Sequence, residues 1–250
     1  MSILLDLLIV LITYLYILIT IIIPVQLKKR GKITKFQARK AVHLLAGLSV
    51  LTVPYYEWKW WAVIIAGSLT TLVLLSSKKS KVKQLKELYE SIGEEEEEKV
   101  GYLQGPFHYC LSITILILTF VIFAQFGLPS QMYFPVSGIL LMIISDTLAS
   151  VVGKRYGKIG IKFPWTSRRT LEGSLVFFLT GLILCLIVFT IFGVSNPDTQ
   201  VHISLESAII FSLVTSALAT LVELVSPSTW DDLTVPILTT FVIYSLVLFL

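Results

Sequence analysis

An apolar run, "PVSGILLMII", leads directly into "SDTLASVVGKRYGKIG", residues 145–160, so that an aspartate stands where a membrane helix would be oily. A carboxylate at membrane depth costs about 3 kcal/mol even on lenient insertion scales, and such a residue is read first as functional. On a helix, Asp146, Ala149, Ser150, Gly153 and Gly157 share one face, a stripe of small residues headed by the carboxylate. Close helix packing explains the glycines. It does not explain Asp146. A stripe without bulk also lets phosphates and a metal approach the backbone, and a carboxylate beside phosphate oxygens is the usual setting of Mg²⁺.

Three further polar groups break the apolar pattern. In "FPWTSRRTLEGS", Arg168 and Arg169 precede Thr170, which has the chemistry of a helix N-cap. Two guanidiniums beside a helix N-terminus form an anion site. Glu172 reads either as a first-turn carboxylate favoured by the helix dipole or as a catalytic or metal-binding group, while Gly173 and Ser174 keep that turn open. In "FQARKAVHLLAG", Arg39, His43, Ala46 and Gly47 share one helical face, with His43 either structural or functional. In "LVELVSPSTWDDLTVPI", Glu223 ends a face that also carries Ser212, Ser216, Ala219 and Thr220, and Asp231 and Asp232 open the next helix. Each of the four groups falls at the same end of its helix, the end the charge pattern assigns to the cytoplasm.

The elements that must carry these residues are membrane helices. Of 250 residues, 55% are hydrophobic and 14% charged, beyond the apolar content of a soluble domain. Blocks long enough to cross a hydrocarbon core of about 30 Å are expected near 3–26, 41–56, 60–76, 107–126, 134–152, 173–193, 205–225 and 233–250. The expected fold is therefore all-α, a polytopic bundle of about eight transmembrane helices forming one membrane-embedded domain over 1–250. No cleavable signal peptide is expected, because no basic residue precedes the first block and no small-residue cleavage site follows it. Of 20 Lys and Arg, seven lie in "KKRGKITKFQARK", six between Lys78 and Lys99 and six between Lys154 and Arg169. The positive-inside rule makes those loops cytoplasmic, near 27–40, 77–105 and 153–171, with a shorter one at 226–232. Both termini are then expected on the other side. The same pattern accounts for the net charge of +4 without a nucleic-acid partner.

The remaining features read as structural. Tyr55, Tyr56, Trp58, Trp60 and Trp61 suit an interfacial belt. Cys110 and Cys185 lie inside apolar blocks as small hydrophobes. Residues 80–92 suit a short amphipathic helix, and the five glutamates 94–98 read as a solvated, mobile charge block rather than a cation site. Several carboxylates, several cations and glycine-rich approaches at one face of an oily bundle suit phosphoryl or nucleotidyl transfer between a soluble nucleotide and a lipid alcohol or lipid phosphate. No Walker A motif or protein-kinase signature is present.

These segments resemble a known family. "SDTLASVVGKRYG" followed by "SRRTLEGS" is similar to the D-x-x-A-x-x-x-G-x-x-x-G and K-K-T-x-E-G-S segments of the dolichol kinase and phytol kinase group of CTP-dependent membrane lipid kinases. "ARKAVHLLAG" resembles the group's R-K-x-x-H element, and "ELVSPSTWDDLTVPI" its E…D-N-L-x-x-P element. The resemblance implies a lipid kinase that moves the γ-phosphate of CTP, with Mg²⁺ or another divalent cation, onto the hydroxyl of a membrane isoprenoid alcohol. It assigns catalytic roles to Asp146, Glu172, His43 and Arg39, and metal binding to Asp146, Glu223 and Asp231. It assigns nucleotide and phosphate binding to Lys40, Ser150, Gly153, Lys154, Gly157, Arg168, Arg169, Thr170, Gly173, Ser174 and Asp232, and it places Pro236 at the edge of the site. Two positions depart from the pattern: the paired lysines are Arg168 and Arg169, and the Asn after Asp231 is Asp232. A multi-pass location is implied, the cell membrane in a prokaryote or the endoplasmic reticulum in a eukaryote.

Two other functions compete. A CDP-lipid synthase has a similar Asp and S-x-K-K-T-x-E-G element, but no H-G-G…D-R-x-D segment occurs in the last third of this chain. A transporter would place Asp146 and Glu223 near the midplane of internal repeats, and no repeat is evident. The acceptor alcohol (dolichol, a shorter polyprenol, phytol, geranylgeraniol or diacylglycerol) and the oligomeric state are not encoded in these motifs.

Overall fold

A computed structural model describes residues 3–166, 169–195, 202–227 and 229–249. The chain forms two compact units, Met1–Thr114 and Ile115–Leu250. Among the described residues, six helices are long and apolar enough to cross a membrane: Ile3–Lys29, Gln104–Gln125, Tyr133–Tyr156, Leu171–Val194, Leu205–Val225 and Asp231–Leu248.

The first unit opens with α1 (Ile3–Lys29), α2 (Lys35–Gly47), a 3₁₀ segment (Leu48–Tyr55) and α3 (Trp60–Leu75), and continues with α4 (Lys83–Ile92) and α5 (Glu95–Val100). Helix α6 (Gln104–Gln125) begins in it. The T-x-x-Q spacing at the start of α2 makes a capping box: Gln37 N–H donates to Thr34 Oγ1 at 3.2 Å, and Thr34 N–H donates to Gln37 Oε1 at 2.9 Å. The expected span near 41–56 is instead the second half of α2 running into the 3₁₀ segment, where Val50, Thr52, Val53 and Pro54 depress α-helix propensity. The span expected at 60–76 is the 16-residue α3, apolar but shorter than the other six.

Helix α4 is amphipathic, as its sequence indicates. Leu88, Tyr89 and Ile92 bury themselves among Val25, Ala38, Val73 and Leu103. Lys29 Nζ meets Glu87 Oε2 at 2.6 Å, and that hydrogen bond holds the Glu87 carboxyl below its ordinary range. The turn before α3 is fastened by a buried carboxylate: Asp6 accepts the backbone N–H groups of Glu57 and Trp58, each at 2.9 Å. Beside it, burial pulls the Lys59 ammonium below its usual value even as it donates to the carbonyls of Pro54, at 2.7 Å, and Tyr56.

The second unit contains α7 (Tyr133–Leu140), a π-helical turn (Leu141–Ser145) and α8 (Asp146–Tyr156), which form one continuous span. Two short antiparallel strands follow, β1 (Gly160–Ile161) and β2 (Arg169–Thr170), then α9 (Leu171–Val188) with its own π-helical end (Phe189–Val194), α10 (Leu205–Val225) and α11 (Asp231–Phe249). Helix α9 packs on α8 and α10, and α11 packs on α7 and α10. On α9 the buried face is Gly173, Ser174, Phe177, Gly181 and Cys185, whereas Leu171, Leu175, Leu179, Ile183 and Ile187 are exposed. Small and polar residues therefore face the protein and large aliphatics face outward, the arrangement of a helix with lipid for solvent. The core is aromatic, with Phe120, Phe134 and Tyr244 in mutual contact at 5.3–5.7 Å between ring centroids.

Candidate active site

The π-helical turn is the first device of the site. It closes with the Asp146 N–H donating to the Leu141 carbonyl, a five-residue step that widens the helix immediately before the aspartate. Such turns occur mostly as single bulges within α-helices and are frequent at functional sites. Asp146 then opens α8 as a buried carboxylate, 8% exposed, with Ser150 Oγ at 3.4 Å from its Oδ1 one turn on.

The second device is the strand pair. Gly160 pairs with Thr170 and Ile161 with Arg169, so the chain leaving α8 returns through β2 straight into α9. Thr170 is the N-cap that its sequence context predicts, its Oγ1 accepting the Gly173 N–H at 3.2 Å. Arg169, one residue earlier, is aimed inward by the same strand. Its Nη1 pairs with Glu223 Oε1 and its Nη2 with Asp231 Oδ2, the latter at 3.0 Å.

Glu223 comes from the last turns of α10, and Asp231 from the first turn of α11 after a tight connection. That connection is strained. Thr229 lies at φ +67°, the left-handed region that a β-branched residue avoids. Asp146, Glu223 and Asp231 each present one carboxylate oxygen within 4.8 Å of the others. Burial alone pulls the Arg169 guanidinium down, but Glu223 first, then Asp231 and Asp146, outweigh it and keep the charge fixed.

Three carboxylates and one guanidinium thus converge from four separate elements. The donor set is all hard oxygen, as Mg²⁺ prefers, and these three residues could hold such an ion. Buried polar atoms nearby point to a missing partner as well. Among the described residues, Arg169 Nε and Ser174 Oγ have no hydrogen-bond partner, nor do Ser145 Oγ and Thr147 Oγ1 on either side of Asp146.

The glycine stripe serves the close helix packing that is one of its two sequence readings. A Cβ added at Gly153 would lie 2.7 Å from Thr170 Oγ1, and one at Gly157 would collide with Thr170 and the Gly153 carbonyl. At Gly173 it would meet the Ala149 carbonyl at 3.0 Å. The stripe is filled by the N-cap of α9, so these glycines let α8 and α9 close on each other and set the position of Arg169 and Thr170. Glu172 anchors the backbone: its carboxylate accepts the N–H of Lys158 at 2.9 Å and of Ile159 at 3.3 Å, at the entry to β1. Lys154 is exposed on the last turn of α8. Asp232 follows Asp231 and donates its backbone N–H to Asp231 Oδ1 at 3.1 Å. Arg168 lies outside the described residues. Trp165, which no sequence pattern marks, donates its indole N–H to the Val225 carbonyl at 2.9 Å and ties the loop between the strands to the end of α10.

Arg39, Lys40 and His43 lie on α2 in the first unit. There one member of the glutamate run, Glu97, departs from the expected solvated block. Glu97 is fully buried; its Oε2 accepts from Arg39 Nη1 at 2.8 Å and from the Glu94 N–H at 2.9 Å, and its Oε1 from the Gly105 N–H at 2.8 Å. Gly101, at φ +88°, is the left-handed residue that ends α5. A side chain at Gly105 would strike the Arg39 guanidinium. His43 packs against Tyr109 with ring centroids 4.3 Å apart and the planes tilted by 45°, and the Tyr109 hydroxyl donates to the His43 carbonyl at 3.0 Å. Glu97→Ala is expected to destabilise the protein by about 3 kcal/mol, because it removes the buried carboxylate shared by Arg39 and the N–H groups of Glu94 and Gly105, while Glu94→Ala, on a half-exposed side chain, changes stability by less than about 1 kcal/mol. Thermal unfolding of the two detergent-solubilised variants checks this, and equal stabilities would contradict it.

No protein-family model matches the chain. Over 51 residues, 20% of the chain, it is 45% identical to the dolichol kinase of Saccharomyces cerevisiae, and the match spans 9% of that protein's length. Over 228 residues, 86% of the chain, it is 25% identical to a probable phytol kinase 1, chloroplastic, of Glycine max, and spans 68% of that protein. The chain is thus weakly similar to a dolichol kinase over a short stretch and to a probable phytol kinase over most of its own length.

Proposed function

We propose that the protein is a CTP-dependent kinase of a membrane isoprenoid alcohol, a multi-pass enzyme that works at the cytoplasmic ends of its helices with both termini on the opposite side. The observation that carries this reading is the convergence of Asp146, Glu223 and Asp231 on Arg169 among helices with aliphatic outer faces. The similarity to proteins named dolichol kinase and phytol kinase supports the same class. A buried polar cluster of this kind inside a membrane bundle is costly and suits an anionic, metal-associated substrate.

Asp146, Glu223 and Asp231 would hold Mg²⁺, which when bound neutralises charge on the terminal phosphates. The Arg169 fork would contact phosphoryl oxygens, for which its planar geometry is suited, and the Ser174 hydroxyl in the first turn of α9 would add a donor. The alcohol oxygen forms a new bond to the γ-phosphorus while the bond from that phosphorus to the β–γ bridging oxygen breaks. CDP leaves, and the hydroxyl proton is accepted by a carboxylate oxygen of Asp146 before passing to solvent. Positioning and charge neutralisation carry most of such a reaction. The glycine contact between α8 and α9 and the Glu172 clamp act as positioning features.

The test is which phosphate reaches the lipid. Purified protein with Mg²⁺, a panel of long-chain alcohols and γ-labelled CTP is expected to move label into the organic phase and release CDP. Deposition of α-label from CTP on a phospholipid, with release of pyrophosphate, would replace the kinase with a CDP-lipid synthase. Absence of labelled lipid from every alcohol and nucleotide would overturn both.

A further inference from the structure

The first unit carries a basic surface that the catalytic reading leaves unused. Lys78, Lys79, Lys81, Lys83 and Lys86 are all exposed, within nine consecutive residues spanning the loop after α3 and the first turn of α4. Of the acidic side chains on α4, Glu87 pairs with Lys29 at 2.6 Å and Glu90 is exposed, with its backbone carbonyl accepting from Lys28 Nζ at 3.3 Å, so the five lysines leave the surface basic. Those two contacts come from the last turn of α1, a helix long enough to cross a membrane, and fix α4 at its end. The opposite face of α4 is clamped in the core by Leu88, Tyr89 and Ile92, so the lysine face cannot roll inward. Large apolar side chains interleave with the charges: Leu74 and Leu75 at the end of α3 and Val82 among the lysines are exposed.

We propose that this surface binds the anionic headgroups of the bilayer that the protein spans, with Leu74, Leu75 and Val82 in the acyl boundary and the five ammonium groups among the phosphates. Charge complementarity favours this occupant. A basic cluster at the end of a spanning helix lies within a Debye length of the headgroups, and apolar residues interleaved with lysines match a surface that is oily below and anionic above. An acidic soluble partner would have no use for the exposed leucines. The inference does not depend on the kinase reading.

The test uses the full chain in vesicles of phosphatidylcholine with a minor share of phosphatidylglycerol, excised by a polymer into lipid discs whose lipids are then counted. Wild type is expected to retain phosphatidylglycerol enriched about two- to threefold over the vesicle, with the enrichment falling at high salt. Replacing all five lysines by glutamine is expected to remove the enrichment, and replacing them by arginine to keep it. Because all five side chains are exposed, both variants should unfold at the wild-type temperature, and a normal unfolding temperature keeps the comparison valid. No enrichment in wild type, or enrichment unchanged in the glutamine variant, would overturn the proposal. So would a soluble polyanion that binds the lysines while phosphatidylglycerol stays at its bulk share.

Discussion

Asp146→Asn is expected to leave the protein inserted and extractable but to lower phosphoryl transfer on the order of 10³-fold. The substitution preserves volume at a buried position, and the Ser150 hydroxyl 3.4 Å from Oδ1 can still bond to an amide oxygen. What it removes is one of three negative charges that approach within 4.8 Å of one another. Mutual repulsion among those carboxylates falls, so the folded state should be no less stable. The loss appears in function: the Mg²⁺ concentration giving half-maximal activity should rise, together with the fall in turnover. Initial rates across a Mg²⁺ series on the two proteins check both. Turnover near wild type would overturn the proposed metal role of Asp146.

Arg169→Met is expected to have the largest effect on stability, a loss of about 3–5 kcal/mol. The guanidinium is the shared counter-charge of Glu223 and Asp231, and without it two carboxylates from the ends of α10 and α11 face each other in a poorly solvated site. Arg169→Lys should fall between wild type and the methionine variant, because one ammonium cannot span both carboxylates as the two Nη atoms do. Added Mg²⁺ should restore part of the loss in the methionine variant, since a cation can replace the missing charge. Thermal unfolding with and without Mg²⁺ measures all three. A methionine variant as stable as wild type would mean that Glu223 and Asp231 do not depend on Arg169.

Much of this protein was legible in one dimension because membrane chains obey strong local constraints. Apolar length located the helices that became α1, α6, α9, α10 and α11, since lipid requires every backbone polar group to be satisfied within its own segment. Charges that broke those runs located Asp146, Glu223 and Asp231, and helical spacing located the glycine stripe. Thr170 announced its own cap. Pairing across space was not legible. Sequence spacing cannot show that Arg169 turns to Glu223 and Asp231, 54 and 62 residues away, rather than to an anion at the start of α9. A stripe of small residues reads the same whether a ligand or another helix fills it, and only the packing of α9 against α8 decided for Thr170. Sequence also could not show that the Glu172 carboxylate reaches the backbone N–H groups of Lys158 and Ile159, or that Glu97, read as part of a solvated block, is held by Arg39 and backbone N–H groups. Local sequence specifies which groups are costly to bury; tertiary structure decides which partner compensates each one, because those partners come from elements that meet only after the chain has packed.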